Sequence, residues 1–120
     1  MDKDNIIKIP TWIIHGVCSG DIVYHTHGLD KYNSLELELK LSLDKKQAME
    51  FLNLIGLEIA NGKVFKDGDF NQTIFTTQIA FKEVKGIYGE ENPILRVIFP
   101  DTNLKFPWEI GCQEPYKSQI

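Results

Sequence analysis

Residues 35–43 read Leu-Glu-Leu-Glu-Leu-Lys-Leu-Ser-Leu, and this stretch decides the fold. Leucine stands at every second position, and a glutamate, lysine or serine stands between each pair of leucines. Strict alternation of this kind is typical of a β-strand with one apolar face and one polar face. The stretch therefore predicts a strand in a sheet that is covered on one side only.

The segment Asp44–Ala60 follows directly and has the apolar period of an α-helix. Its predicted apolar stripe consists of Ala48, Phe51, Leu52, Ile55 and Ile59, with Leu54 and Leu57 widening it. Asp44 can cap the helix, and Gln47 follows at capping-box spacing. Asn61-Gly62 is a signal for the end of the helix. Gly56 costs about 1 kcal/mol relative to Ala inside a helix, so we expect it to mark close packing on the sheet.

Two β-rich segments upstream, residues 11–17 and 21–27, predict an antiparallel hairpin. Ser19-Gly20 lies between them and fits a two-residue loop. Such a loop would place His15 opposite Tyr24 in the hairpin register.

Three apolar segments follow the helix and complete the predicted sheet. They are a short strand at residues 63–65, a long β-rich segment at residues 73–84 and a buried central strand at residues 94–99. Residues 86–93 are predicted to form a loop, and Pro100–Asn103 a turn. The chain is thus predicted to be a single α+β domain over residues 1–120. Its sheet is mostly antiparallel, with about five or six strands, and one long amphipathic helix packs on one face.

Composition limits the classes of function. The chain has 120 residues, with 13 Lys and Arg against 17 Asp and Glu, so its net charge is −4. We expect no nucleic-acid polymer as a partner, because binding to a phosphate backbone needs a basic surface. No apolar run approaches the roughly 18 residues of a membrane span, and residues 1–5 carry no export signal. We therefore expect a cytoplasmic protein without a membrane partner.

The two cysteines, Cys18 and Cys112, are expected to be free thiols in a reducing compartment. Neither stands in a CxxC motif. The chain also lacks the glycine-rich phosphate-binding loops and the common hydrolase signatures, so we expect no cofactor.

The first candidate site is His25-Thr26-His27. Two residues that stand two positions apart on a strand project to the same face. In the predicted register His25 and His27 therefore share one face, and His15 lies on the other. The pair can bind or orient an anionic ligand, share a metal ion with a further ligand, or simply pack at the surface.

The second candidate is Arg96, the only arginine of the chain. It stands within the apolar central strand, where an unpaired guanidinium would be costly. One interpretation is an ion pair with Glu36 or Glu38 across the polar face of the sheet. The other is that the planar guanidinium binds the carboxylate or phosphate of a ligand.

The third candidate is the tail from Phe106 to Cys112, which is dense in aromatic residues and proline. It either caps the core or forms one wall of a pocket. Trp108, together with Trp12 and Tyr24, would be available to stack on a base. Cys112 could act as a nucleophile with a histidine as its base.

These residues lead to three hypotheses. The first is a non-catalytic binding protein for a small anionic, nucleotide-like ligand, which sequesters a signal molecule and forms a homo-oligomer around its pockets. Its predicted ligand-binding residues are His25, His27, Arg96, Tyr24, Trp12 and Trp108. The second is a protein-binding immunity or anti-defence factor that masks an effector with an acidic surface. Its candidate acidic residues are Asp67, Asp69, Glu90 and Glu91. The third is a small metal- or Cys/His-dependent hydrolase.

Two motifs resemble those of a known bacterial family. Thr26-His27-Gly28-Leu29 with Leu35-Glu36-Leu37 resembles its opening pattern, and Phe99-Pro100-Asp101 with Phe106-Pro107-Trp108-Glu109 resembles its closing pattern. Gly62 also falls where a family glycine is expected. The family is the domain of unknown function numbered 4262, and the resemblance covers most of residues 24–119. It implies that the chain folds as one unit and that the turn after His27 and the Pro-Trp tail matter together.

Overall fold

The computed structural model describes residues 12–19, 21–85 and 93–120. Its strands are β1 (Ile13–Ser19), β2 (Asp21–His27), β3 (Leu37–Leu39), β4 (Phe70–Asn71), β5 (Ile79–Lys85) and β6 (Pro93–Ile98). The one α-helix of the described residues, α1, spans Lys45–Ala60. Short 3₁₀ turns lie at Leu29–Tyr32 and Tyr116–Gln119.

The six described strands form one sheet in the order β1-β2-β3-β6-β5-β4. Among these neighbours β3 and β6 run parallel, and the other pairs are antiparallel. Helix α1 packs on one face, where its buried residues share a core with the leucines of β3. The predicted α+β class is therefore confirmed, with a mostly antiparallel sheet and one long helix on one face.

Helix α1 begins and ends where its sequence predicts. The Asp44 side chain accepts a hydrogen bond from the Gln47 backbone N–H at 2.8 Å, and Gly62 adopts a left-handed conformation (φ 103°) after the last turn. The predicted stripe residues Ala48, Leu52, Ile55 and Ile59 are buried, and Phe51 is half-buried. The predicted widening by Leu54 and Leu57 is wrong, because both side chains are exposed. At about 100° per residue, Leu54 lies roughly 200° around the helix from Leu52.

The leucines of residues 35–43 face the helix as predicted. The fully enclosed ones are Leu37, Leu39 and Leu41, and Leu35 and Leu43 are half-buried. The polar face differs from the prediction, because Glu38 is also buried. Part of that face is covered by the C-terminal segment, where Gln119 is fully buried. A second apolar cluster there consists of Ala80, Ile98 and Phe106. The prediction of a sheet covered on one side only is therefore wrong.

The hairpin register differs by one residue from the prediction. Ser19 pairs with Asp21, so a single position, Gly20, separates the strands; that residue lies outside the described part. Gly16 rather than His15 stands opposite Tyr24. A Cβ atom at Gly16 would lie 2.9 Å from the Tyr24 ring, so this register places the residue with no side chain beneath the ring.

His15 pairs with His25 in the same register, where the predicted loop would have paired it with Tyr24. The side chains of His15 and Cys18 lie outside the part of the chain that the structure describes, and so do the predicted acidic residues Glu90 and Glu91.

Downstream of α1 the predicted strands are shorter than expected. Residues 63–65 are not a strand, since the Lys63 N–H closes the helix end by donating to the Glu58 carbonyl at 2.9 Å. Residues 73–77 form bends, because the Asn71 side-chain oxygen accepts the next backbone N–H groups and turns the chain before β5.

The predicted central strand is confirmed, since β6 lies between β3 and β5. It begins at Pro93, which the sequence placed in a loop; the rest of that predicted loop, residues 86–92, lies outside the described residues. None of the helices described here is long and apolar enough to cross a membrane.

Candidate functional site

The six residues predicted to bind a ligand divide between the two faces of the sheet. Trp12 and Tyr24 belong to the main core on the α1 face. The remaining four, His25, His27, Arg96 and Trp108, are associated with the opposite face. The structure therefore does not gather the predicted stacking rings and the predicted cationic groups into one site.

Trp12 and Tyr24 act as packing groups in this structure. The Trp12 Nε1–H donates to the Asn53 side chain at 2.9 Å, and its ring lies against Gly56, where a Cβ atom would approach to 2.7 Å. The close packing expected at Gly56 is thus against Trp12. The Tyr24 hydroxyl donates to the Leu43 carbonyl at 3.2 Å. Both side chains are 5% exposed, which leaves little of either ring for a ligand at the surface.

Arg96 forms the ion pair that the sequence offered as one of its two interpretations. Its Nε and Nη2 atoms lie 2.7 and 2.5 Å from Glu38 Oε1, and its Nη1 donates to the Gln119 carbonyl at 3.1 Å. The pairing follows from register, since Glu38 of β3 stands directly beside Arg96 of β6. Arg96 is 7% exposed and Glu38 is 2% exposed. Glu38 therefore already neutralises most of the positive charge that Arg96 would otherwise offer to a ligand.

His25 and His27 lie together, as their spacing predicts. Their rings pack edge to face with centroids 4.7 Å apart. His25 is buried and stands beside Glu38 in the sheet, whereas His27 is exposed at the end of β2. Within residues 12–19, 21–85 and 93–120, no group of three or more His, Cys, Asp or Glu side chains is arranged to hold a metal ion.

Trp108 lies far from the histidines, at the β4 edge of the sheet. Its ring stacks on Phe106 with a centroid separation of 4.9 Å and approaches Phe70 of β4. Four strand steps of about 4.8 Å separate β2 from β4, which is about 19 Å. The turn after His27 and the Pro-Trp tail therefore occupy different regions of the sheet.

The environment of Cys112 does not activate its thiol. The Sγ atom is buried and donates to the Lys105 carbonyl at 3.2 Å. Burial raises the pKa of the Cys112 thiol, and the nearby Asp101 carboxylate raises it further. A nucleophilic cysteine needs the opposite shift, so this geometry does not favour the hydrolase hypothesis.

Glu36 organises the loop of the first family motif. Its carboxylate accepts the Thr26 hydroxyl at 2.9 Å and the backbone N–H groups of Gly28, Leu29 and Asp30 at 3.1–3.3 Å. Gly28 has φ 114°, a conformation that suits glycine and lets the three N–H groups converge. The Thr26-His27-Gly28-Leu29 turn is therefore wrapped around one carboxylate.

Asp101 organises the loop of the second family motif in the same way. Its carboxylate accepts backbone N–H groups of Asn103, Lys105 and Gln113 at 2.8–3.0 Å. These bonds, that from Lys105 first, lower the pKa of Asp101 although burial opposes the shift. The carboxylate thus holds the tail that carries Phe106 and Trp108.

One concave feature that sequence reasoning missed is an aromatic cleft. It has a volume of about 590 Å³ and lies at the carboxyl end of β6, between the first half of α1, the bends at residues 73–77 and the 3₁₀ turn at Tyr116. Its aromatic walls are Phe51, Phe75, Phe99 and Tyr116. Polar lining groups include Gln47, Thr76, Thr77, Asp101 and Thr102.

The walls of the cleft are held by contacts between rings. The centroids of Phe51, Phe75 and Phe99 lie 5.0–5.4 Å from one another. Each of these residues had a sequence signal for burial, but nothing in the sequence indicated that the three meet at one end of the sheet. An apolar cavity of this size with a few polar groups is the usual form of a small-molecule site.

Comparison with known proteins gives one match. No curated protein and no solved structure matches the chain. The family model described as Domain of unknown function (DUF4262) matches residues 11–113 of the 120 residues. This range contains both motifs on which the resemblance rested. The chain therefore belongs to the DUF4262 family.

Proposed function

We propose that this protein is a non-catalytic binding protein for a small nucleotide-like ligand, and that the planar ring of the ligand occupies the cleft. The observation that carries the proposal is the convergence of four aromatic side chains on a cleft of about 590 Å³. Aromatic rings favour offset or edge-to-face contact with other rings, which selects flat ligands.

The charge of the lining residues narrows the class of ligand further. Among the described lining residues Asp101 is the only charged one, and its oxygens already accept three backbone N–H groups. A phosphate would find no cationic partner there, so the cleft favours the uncharged part of a nucleotide, a base or nucleoside.

The anionic ligand expected from His25, His27 and Arg96 would belong to a different place. Strands β3 and β6 run toward the cleft, and the antiparallel β2 runs away from it, so His27 lies at the opposite end of the sheet. Because Glu38 pairs with Arg96, we rank an anion site on that face below the cleft.

The test combines native mass spectrometry of the purified protein with thermal unfolding in the presence of adenosine, guanosine, cytidine, uridine and their monophosphates. A ligand at 100 times its Kd stabilises the folded state by about 2.7 kcal/mol, which is readily seen in the unfolding midpoint. Thr76→Trp should block the cleft, because Thr76 is an exposed lining residue, and should abolish the shift. Gln72→Trp is the matched control, since Gln72 is exposed nearby and lies outside the lining.

Two results would refute the proposal. One is the absence of any midpoint shift with the full panel at millimolar concentration. The other is a shift that Thr76→Trp leaves unchanged. Native mass spectrometry reports separately on the predicted homo-oligomer.

A second candidate is the protein-binding factor that masks an effector. It is favoured by the exposed apolar side chains Phe70, Trp108 and Ile110, which are 52%, 48% and 95% exposed. Exposed apolar groups clustered at a sheet edge are typical of a protein-binding surface. Trp108→Ala should then abolish recovery of a stoichiometric partner without lowering the unfolding midpoint. A lower unfolding midpoint for Trp108→Ala would mean that the tryptophan only stabilises the fold by covering Phe106.

A further inference from the structure

Thr77 carries a buried hydroxyl that has no hydrogen-bond partner among the residues described here. The residue lines the aromatic cleft, next to Phe75 and Thr76. Buried polar atoms in native proteins nearly always have a partner, so each exception calls for an explanation. The polar side chains of the same lining, among them Gln47 and Asp101, do not hydrogen-bond to it.

We propose that Thr77 is the specificity-determining residue of the cleft. Its side chain is half-buried and lines the cleft, so a rotation about χ1 on binding would turn the hydroxyl toward the ligand. The hydroxyl would then donate a hydrogen bond to an acceptor atom on a neutral, planar heteroaromatic ligand. This inference rests on the proposed function, because it names the ligand class of the same cleft. The faces of the phenyl rings carry negative charge density, so they favour electron-poor rings. Such rings contain nitrogen or carbonyl acceptors, as purines do, and one acceptor would satisfy the hydroxyl.

The hydroxyl would then reject ligands that lack the acceptor. A site group that is left unpaired by the wrong ligand discriminates far more strongly than an apolar contact does. In the free protein the same hydroxyl gains nothing from its surroundings. Replacing it with a methyl group of similar shape should therefore leave the free fold as stable as before, or make it more stable.

The experiment measures two quantities for wild type, Thr77→Val and Thr77→Ser. The first is the unfolding midpoint of the free protein, and the second is the Kd for adenosine and for guanosine from a ¹⁵N NMR titration. Gln72→Val is the matched control, since Gln72 is exposed nearby and lies outside the lining. We expect Thr77→Val to weaken binding about tenfold, which corresponds to one typical hydrogen bond. Thr77→Ser and Gln72→Val should bind within about threefold of wild type, and Thr77→Val should unfold no earlier than wild type.

Three other outcomes would count against the proposal. If wild type binds a nucleoside in the cleft and Thr77→Val binds it equally well, the role of Thr77 is refuted and the proposed function stands. If Thr77→Val lowers the unfolding midpoint of the free protein by several degrees, the hydroxyl has a structural partner and the proposal is wrong. If neither nucleoside moves any cleft amide in wild type, the proposal fails, and the proposed function fails with it only when the rest of its panel also gives no midpoint shift.

Discussion

Replacing Arg96 tests whether this residue stabilises the fold or serves a ligand. Arg96→Met keeps much of the side-chain volume and removes the guanidinium, so Glu38 would be left at 2% exposure without its partner. The Gln119 carbonyl would also lose the bond from Nη1. Removing one member of a buried ion pair typically costs about 3–5 kcal/mol, a large part of the roughly 5–15 kcal/mol that stabilises a small domain.

The measurement is the free energy of unfolding from urea titration, monitored by circular dichroism. A second variant, Glu38→Leu with Arg96→Met, removes both charges together. Buried pairs replaced by apolar residues of similar volume are often neutral or stabilising, so the double variant should be at least about 2 kcal/mol more stable than Arg96→Met alone. Recovery of stability in the double variant would also show that the unpaired Glu38 carboxylate is what destabilises Arg96→Met.

A loss below about 1 kcal/mol in Arg96→Met would refute the structural role. If that small loss came with the loss of binding to a nucleoside monophosphate, Arg96 would be a ligand-binding residue, as the alternative sequence interpretation held.

Three further predictions concern local chemistry. Gly56→Ala should lower the free energy of unfolding, because overpacking against Trp12 costs about 1–3 kcal/mol and outweighs a helix-propensity gain of about 1 kcal/mol; in a Trp12→Phe background the same change should become neutral or stabilising. The lowered pKa of Asp101 means that its carboxylate contributes stability fully above the ordinary value of 3.8 and loses this contribution as pH falls through the lowered pKa. The difference in unfolding midpoint between wild type and Asp101→Asn should therefore be larger at pH 7 than at pH 3, and an equal difference at both would contradict this account. Because burial raises the pKa of Cys112, iodoacetamide should modify it more slowly at pH 7.4 in folded than in urea-unfolded protein, as peptide mapping would report; equal rates would contradict the burial argument.

The features that sequence predicted well are those that depend on local periodicity. The leucine face of residues 35–43 and the buried stripe of α1 repeat at fixed intervals, so each can be recognised within a short window. The cap at Asp44 and the stop at Gly62 are local for the same reason. The ion pair of Arg96 could be anticipated although it spans 58 residues, because a buried guanidinium needs a carboxylate and two stood on the predicted polar face.

The features that sequence missed depend on what covers a surface. Alternation showed that Glu38 and the leucines lie on opposite faces, but it carried no information about the C-terminal segment that buries Glu38. The hairpin register likewise depended on one residue of loop length, which local propensity does not determine. The cleft needed the most non-local information, since Phe51, Phe75 and Phe99 come from three segments about 24 residues apart.

The two family motifs have a structural explanation that bears on how far family membership informs function. Glu36 and Asp101 each gather several backbone N–H groups and so shape the loops that carry the motifs. Glu36 accepts four hydrogen bonds and Asp101 accepts three, so both carboxylates have little capacity left for a ligand. Of the aromatic cleft walls only Phe99 stands within a motif, and Thr77 stands outside both. Under the proposed function, a family member could keep both motifs, and the loops that they shape, while its cleft takes a different ligand. The residues at the positions of Thr77 and Phe75, rather than the motifs, are where ligand specificity would diverge within the family.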